Sequence, residues 1–407
     1  MKNKLLLFLS SVGPGLFLIG YNIGTGSVTT MAKAGAQYGM TLFWALVLSA
    51  LFTYVLMVAY GQVTLVTRHT ALFNIRKHFT IGPFLSIYIL VALVIGELLA
   101  IMGVMGIVTD LLAEGWRLMG WGNASTFWIT VVIVIGLYAL LWIGRYRAFE
   151  KILTFFVILM GLCFILVFIL VRPDLVAIAK GMIPSIPDEP GAFQLIAAMA
   201  GTTCSAAVFI VRSTVVAEKG WTVNDLEGEK KDSMVSATTM LILSGIIMAV
   251  AAGTLHVMGL QLDNTVEMIH LFEPIGGKVA AFILILGIAG AGLSTVFPII
   301  LIAPWLLSDI SGQPRDIKSP MYRILGGIGL LFSFGLQIIE QAPPAMMIFS
   351  QAFQACILPA VAIPILLLIM NKKLMGRHAA HRNMIIGLIA VIIFSLITTY
   401  FAVIDLI

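Results

Sequence analysis

Two short clusters of small and hydroxyl-bearing residues interrupt long apolar segments of the chain. The first cluster is Gly24-Thr25-Gly26-Ser27, and the second cluster covers 201–207 with the sequence GTTCSAA. Glycine permits an unwound backbone and the close approach of a ligand, and hydroxyl groups can donate hydrogen bonds or cap a helix. The first N–H groups of a helix are unpaired and favour an anion. The clusters therefore predict a ligand site between interrupted helices.

The elements that carry both clusters are predicted to be membrane-spanning helices. Of the 407 residues, 60% are hydrophobic and 11% are charged, whereas about a quarter are charged in soluble domains. Apolar runs of about 18 residues or more recur along the chain, as in polytopic helical membrane proteins. We predict eleven spans, at 5–37 (broken), 40–66, 81–111, 126–144, 149–171, 191–218 (broken), 234–259, 276–307, 321–341, 345–370 and 383–404.

The distribution of basic residues predicts the orientation in the membrane. With a cytoplasmic N-terminus, eighteen Lys and Arg residues fall in the inside segments and four in the outside segments, which is the positive-inside pattern. We expect an integral plasma-membrane protein whose C-terminus, after an odd number of spans, lies outside. Because the basic residues are topology signals, the net charge of +5 does not indicate a nucleic-acid partner.

The two broken spans lie five spans apart. Paired interruptions in corresponding helices are typical of inverted-repeat transporters with a site at the bilayer midplane. The alternative is that small residues allow close helix packing. The predicted organisation is one transporter domain over 1–407, with repeat one at about 5–171, repeat two at about 191–370 and an extra helix at about 383–404.

Three segments resemble the NRAMP family of transporters. Residues 13–67, which begin GPGLFLIGYNIGTGS and include AGAQYG, resemble its first two helices. Residues 290–299 (GAGLSTVFPI) and 350–364 (SQAFQACILPAVAIP) are similar to its eighth and tenth helices. The resemblance implies an all-α, LeuT-type fold, in which two five-helix inverted repeats and one extra helix make eleven spans and helices 1 and 6 are broken. It also implies secondary transport by alternating access.

The departures from the family fall on its metal site. NRAMP metal transporters carry Asp-Pro-Gly-Asn at the first cluster, where this chain has Gly24 in place of Asp and Ser27 in place of Asn. The Met-Pro-His pattern of helix 6 becomes Ser205-Ala206-Ala207, and a further His becomes Arg212. Of the metal-site side chains of the family, only the Gln of helix 10 remains, as Gln351.

The two clusters favour a small carboxylate-bearing solute, such as an amino acid or 5-oxoproline, bound by backbone N–H groups and hydroxyls. Tyr21 and Phe209 would contact an apolar part of this substrate. In the alternative, they only pack between helices. The predicted substrate-binding residues are Tyr21, Gly24, Thr25, Gly26, Ser27, Thr202, Thr203, Ser205, Phe209 and Gln351.

A divalent metal cation, manganese or magnesium, is the alternative substrate that the resemblance implies. Hard cations usually need a carboxylate among their ligands, and soft cations need Cys, Met or His. Neither cluster contains an acid, and Cys204 is a lone cysteine of the kind that usually packs in a core. A dehydrated divalent ion without a counter-charge is costly at the bilayer midplane. The clusters therefore predict no metal site.

Glu97 and Arg212 are ionisable residues within predicted spans, and such residues are functional candidates by default. Glu97 aligns with a helix 3 Asp that NRAMP proteins place on their proton route, whereas the neighbouring family Glu is Ala100. Our leading hypothesis is a buried Glu97–Arg212 ion pair. The alternatives are that Glu97 accepts the coupling proton, or that Arg212 meets the departing carboxylate.

Sodium is a second candidate for the coupling ion, and no other cofactor is expected. LeuT-type symporters use helix 1 carbonyls and helix 8 hydroxyls for one sodium site. Gly20 and Ile23 could supply the carbonyls, and Ser294 and Thr295 the hydroxyls. In the alternative, both hydroxyls bond to carbonyls of their own helix.

The sequence argues against an enzyme and against a channel. Five of the six His residues fall in loops or at span ends, and His256 is alone near the end of span 7. The polar residues are confined to two central clusters and do not form a file from face to face. A transporter that meets a small-molecule substrate in the lipid bilayer is therefore predicted.

Overall fold

The computed structural model describes residues 24–143, 146–311 and 316–404. Every regular element in these ranges is a helix. The α-helices are α1 (Thr25–Tyr38), α2 (Phe43–Thr67), α3 (Ala71–His78), α4 (Gly82–Leu118), α5 (Thr126–Ile143), α6 (Tyr146–Val171), α7 (Leu175–Lys180), α8 (Ala192–Thr203), α9 (Ala206–Glu218), α10 (Leu226–Gly253), α11 (Gly277–Ser311), α12 (Pro320–Leu331), α13 (Gly335–Ile339), α14 (Pro343–Met370), α15 (Lys372–Met375) and α16 (Arg382–Ile404).

Nine helical segments of the described ranges are long and apolar enough to cross a membrane. They match nine of the predicted spans, with α8 and α9 counted as one segment and α12 and α13 as another. The helix α6 matches a tenth span. The helix α1 is the second half of the first span, whose first half lies outside the described residues. The all-α membrane architecture is therefore confirmed.

The predicted break in the sixth span is confirmed. The helix α8 ends at Thr203, and Cys204 and Ser205 leave the helical conformation before α9 begins at Ala206. Ser205 is extended, with φ −67° and ψ 130°. In the first cluster, Gly24 is also extended and α1 starts immediately after it. Both clusters therefore expose the N-terminal end of a half-helix.

The broken sixth span lies in the centre of the helix bundle. In its most apolar part, 94% of the residues are buried, against 17% in α5 and 28% in α16. Close packing depends on Gly201, because a Cβ there would lie 1.8 Å from the backbone oxygen of Gln351 on α14. Small residues thus serve close packing as well as the break itself. The peripheral helices expose their apolar side chains, as helices facing lipid do.

The start of the seventh span differs from the sequence prediction. The predicted spans leave 219–233 as a charged connector between 191–218 and 234–259, but α10 already begins at Leu226. Glu229 and Asp232, on its first two turns, are 0% and 1% exposed. Both acids contact the guanidinium group of Arg212. Because an opposite charge accompanies them, these acids can be buried within the packed bundle.

Candidate functional site

A small polar cavity lies where both clusters meet α4, α11 and α14. Its volume is about 50 Å³. The lining residues are Gly24, Gly26, Ser27, Glu97, Ala100, Val104, Thr202, Ser205, Thr295, Ile299, Met347, Gln351 and Gln354. Six of the predicted substrate-binding residues are therefore brought together, namely Gly24, Gly26, Ser27, Thr202, Ser205 and Gln351.

Three other predicted binding residues do not line this cavity. The hydroxyl of Thr25 donates to the carbonyl of Ile288 on α11. The carbonyl of Thr203 accepts a hydrogen bond from the Thr53 hydroxyl on α2.

Phe209 is the third of these residues, and it is fully buried. Its ring stacks on Tyr60 with centroids 5.9 Å apart, so Phe209 packs between helices and does not line the cavity. Tyr21, like the sodium-site candidates Gly20 and Ile23, lies outside the described residues.

The Glu97 side chain brings a carboxylate into the cavity. This residue is 5% exposed and accepts a hydrogen bond of 3.0 Å from Gln354 Nε2. Since a carboxylate accepts and an amide NH₂ donates, this bond fixes the orientation of the Gln354 amide. Gln354 Oε1 is then buried without a hydrogen-bond partner in the described structure. Buried polar atoms of this kind call for an explanation, such as an ion.

A thioether also reaches the cavity, from α14 instead of from the break between α8 and α9. Met347 Sδ lies 3.5 Å from Gln351 Nε2, and a Cβ on Gly26 would lie 3.2 Å from the same sulfur. Sequence reasoning missed both Met347 and Gln354. The available signal was their spacing, because Met347 precedes Gln351 by four residues and Gln354 follows it by three, which places all three on one helix face.

Gly24 packs directly against α11. A Cβ at this position would lie 2.3 Å from Thr295 Cγ2. The backbone at the start of α1 can therefore approach Thr295 only because the residue has no side chain. Within the first turn of α1, Ser27 Oγ is 3.3 Å from Ser244 Oγ of α10, which joins the cavity wall to that helix.

The predicted Glu97–Arg212 ion pair is wrong. Arg212 Nη2 lies 2.8 Å from Glu229 Oε1 and 2.8 Å from Asp232 Oδ2, and all three side chains are fully buried. Arg212 is not among the residues that line the cavity. The pair was inferred from family positions, and the early start of α10 supplies two closer acids.

The hydroxyls predicted for a sodium site are engaged with their own helix. Ser294 Oγ donates to the carbonyl of Ala291, and Thr295 Oγ1 donates to that of Gly292, each at 2.8 Å. This is the arrangement expected of serine and threonine within spans. Over the described ranges, no group of three or more His, Cys, Asp or Glu side chains could hold a metal ion.

A family model described as "Natural resistance-associated macrophage protein-like" matches residues 15–405. The chain belongs to the NRAMP family. Members of this family are transporters, not enzymes. The divalent metal cation transporter MntH of Pectobacterium carotovorum is 25% identical over 378 residues, which cover 90% of this chain and 87% of that protein. MntH of Deinococcus radiodurans is 24% identical over 406 residues, which cover 95% and 88% of the two chains.

Solved structures show the same fold at low sequence identity. A mutant form of the manganese transporter of Eremococcus coleocola aligns with a TM-score of 0.74 at 16% identity, and the alignment covers 98% of this chain and 86% of that one. MhsT in complex with L-phenylalanine aligns with a TM-score of 0.65 at 13% identity, and the alignment covers 97% and 98% of the two chains. The predicted NRAMP resemblance and LeuT-type fold are confirmed.

Proposed function

We propose that this NRAMP-family protein is a secondary transporter of a divalent cation, manganese or magnesium, which it moves by alternating access. The observation that carries the proposal is the Glu97 carboxylate beside the unpartnered Gln354 Oε1 in the central cavity. This reverses the preference for a carboxylate-bearing solute that the two clusters alone suggested, because the acid missing from the clusters is supplied by α4.

The charge of the cavity supports a cation. Glu97 is an acid, and no Lys, Arg or His belongs to the described residues that line the cavity. A carboxylate substrate would be repelled by the Glu97 carboxylate at close range in a medium of low dielectric constant, whereas a cation would be attracted to it. One carboxylate also supplies part of the counter-charge that a divalent ion needs near the bilayer midplane.

The size and the ligand atoms of the cavity also support a cation. A single water needs roughly 10–15 Å³ measured in this way, so about 50 Å³ holds an ion with a few waters. Carboxylate, amide and hydroxyl oxygens suit magnesium and manganese, and the Met347 thioether adds a softer ligand. The similarity to proteins named divalent metal cation transporters is further support.

One observation favours an amino acid as a second candidate substrate. Gly24 caps the N-terminus of α1 at the cavity without a side-chain hydrogen bond. The backbone N–H groups there could hold a carboxylate while Glu97 holds the ammonium group. Such a solute would require a wider cavity than the one described.

Calorimetric titration of the purified protein tests the proposal. We expect wild type to bind manganese or magnesium and the Glu97→Gln variant to lose most of this affinity. Glu114→Gln is the matched control, because Glu114 lies on the same helix but pairs with exposed Arg117. Binding of an amino acid or 5-oxoproline, together with absent cation binding in wild type, would contradict the proposal and favour the second candidate.

A further inference from the structure

An apolar groove lies at the periphery of the helix bundle, between α5 and α12. Its volume is about 590 Å³, within the range of roughly 300–1,000 Å³ that is usual for small-molecule sites. The side chains that line it are apolar or aromatic, among them Val134, Ile135, Tyr138, Trp142, Leu330 and Leu331. The groove therefore suits an apolar occupant.

Two glycines of α12 bring this helix close to α5 and set the floor of the groove. A Cβ on Gly327 would lie 3.0 Å from Tyr138 Cε2, and one on Gly326 would lie 2.7 Å from Leu141 Cδ2. Towards the outside of the bundle the walls are open, because Ile135 and Leu331 are 64% and 63% exposed. Exposed apolar side chains on membrane-spanning helices face the hydrocarbon of the bilayer. The groove is therefore open to acyl chains of the lipid.

One end of the groove carries an arginine. The Arg323 Cζ atom lies 4.1 Å from the centroid of the Trp142 ring, which itself lines the groove. Arg323 Nη2 donates to the Trp142 carbonyl at 3.2 Å, and Arg323 Nε is buried without a hydrogen-bond partner in the described structure. None of the ion pairs within the described ranges involves Arg323. Since a guanidinium has five N–H donors, this group can still bind an anion.

A second polar group at the start of α12 is also unsatisfied. Ser319 precedes α12 and makes no side-chain cap hydrogen bond, and its Oγ is buried without a partner in the described structure. Four residues separate Ser319 from Arg323, which places both on one side of the helix. The acid nearest to them in this turn, Asp316, accepts from the backbone N–H of Lys318. The basic residues of the chain predict that this end of α12 is cytoplasmic, at the level of the lipid headgroups.

We propose that the groove and Arg323 form a binding site for one anionic glycerophospholipid. An acyl chain lies between α5 and α12, and the lipid phosphate binds the Arg323 guanidinium through charge-assisted hydrogen bonds. Basic pockets between membrane helices on the cytoplasmic side bind headgroups of this kind. A zwitterionic lipid brings a cation of its own, which weakens the attraction to Arg323. The site shares no lining residue with the central cavity, so it does not depend on the proposed substrate.

Native mass spectrometry of the delipidated full-length protein tests the headgroup contact. The protein is titrated with phosphatidylglycerol and with phosphatidylcholine of the same acyl chains. We expect wild type to bind the first phosphatidylglycerol more tightly than the first phosphatidylcholine. Arg323→Gln should weaken phosphatidylglycerol binding about fivefold, as expected for one basic residue at the membrane surface, and should leave phosphatidylcholine binding unchanged.

The matched control is Arg382→Gln, because Arg382 is an exposed arginine at the start of the peripheral helix α16. This variant should bind both lipids as wild type does. Equal affinities of wild type for the two lipids, or an unchanged preference for phosphatidylglycerol in Arg323→Gln, would overturn the proposal.

A second variant tests the acyl-chain contact and covers the case in which Arg323→Gln does not fold. Ala139 lines the groove and is exposed, so the indole of Ala139→Trp should fill the groove without entering the core. We expect Ala139→Trp to lose the tightly bound phosphatidylglycerol, whereas Leu396→Trp, on the exposed side of α16, should retain it. Wild-type affinity in Ala139→Trp would contradict the proposal. Both measurements are independent of whether the protein transports manganese.

Discussion

Two residues of α14, Met347 and Gln354, bring ligand atoms to the cavity that the two polar clusters of the sequence do not contain. Gln354 Nε2 binds Glu97 and leaves its own oxygen without a partner in the described structure. Met347 Sδ contacts the Gln351 amide. The ligand set is therefore mixed, with hard oxygen atoms and one soft sulfur atom, and each type should act on a different cation.

The Met347→Leu variant tests the role of the sulfur. Leucine keeps the apolar volume but removes the soft ligand, so manganese should bind roughly tenfold more weakly, or about 1.4 kcal/mol. Magnesium, which prefers oxygen, should bind as before. Calorimetric titration with both ions checks this, and an equal loss for the two ions would show that Met347 acts through packing.

The Gly24→Asp variant restores the acid that NRAMP metal transporters carry at this position. In Gly24→Asp the new Cβ would lie 2.3 Å from Thr295 Cγ2, so we expect a loss of stability of about 1–3 kcal/mol. Thr295→Ser removes only the clashing methyl group, and the double variant should recover most of the lost thermal stability. Thermal unfolding in detergent measures both, and an undiminished loss in the double variant would refute the steric explanation.

At the scale of helices, the break of the sixth span depends on how α8 packs against α14. Gly201→Ala would force a Cβ to within 1.8 Å of the Gln351 carbonyl oxygen, and backbone cannot yield as a flexible side chain can. We expect Gly201→Ala to lower the unfolding midpoint by several degrees.

The matched control for this packing is Gly136→Ala. Gly136 lies within α5 and has open space around it, so alanine there should be neutral or slightly stabilising. Equal unfolding midpoints for Gly201→Ala and wild type would show that α8 and α14 can move apart at this position without loss of stability.

The helices were predictable from sequence because apolar length and polar interruptions are local properties. The same local view misplaced the start of α10, since a charged segment such as 226–232 normally faces solvent. Only the position of Arg212 in three dimensions explains why Glu229 and Asp232 are buried. Likewise, Glu97 enters the cavity through the packing of α4 against α14, which no spacing within one span reveals.

At the scale of the whole molecule, the burial pattern separates a central group of helices from a peripheral one. The broken sixth span is almost fully buried, whereas α5 and α16 are mostly exposed. A buried site formed by central helices must open alternately to the two sides of the membrane to release a substrate.

The orientation of the molecule is predicted from the basic residues alone. Impermeant maleimide applied to intact cells should label Asn123→Cys, in a predicted outside segment, and should spare Asp316→Cys, in a predicted inside segment. Both positions are exposed. Labelling of Asp316→Cys but not of Asn123→Cys would invert the assignment and place the buried Arg212–Glu229–Asp232 cluster near the outer face.

The most direct test of the proposed function is the uptake of radioactive manganese into liposomes that contain the purified protein, with magnesium as competitor. We predict saturable uptake by wild type and by Glu114→Gln, and a loss of at least roughly tenfold in Glu97→Gln, since the cavity acid supplies the counter-charge for the ion. The proposed function would be contradicted if the liposomes take up no divalent cation but do take up an amino acid or 5-oxoproline, and if this uptake persists in Glu97→Gln.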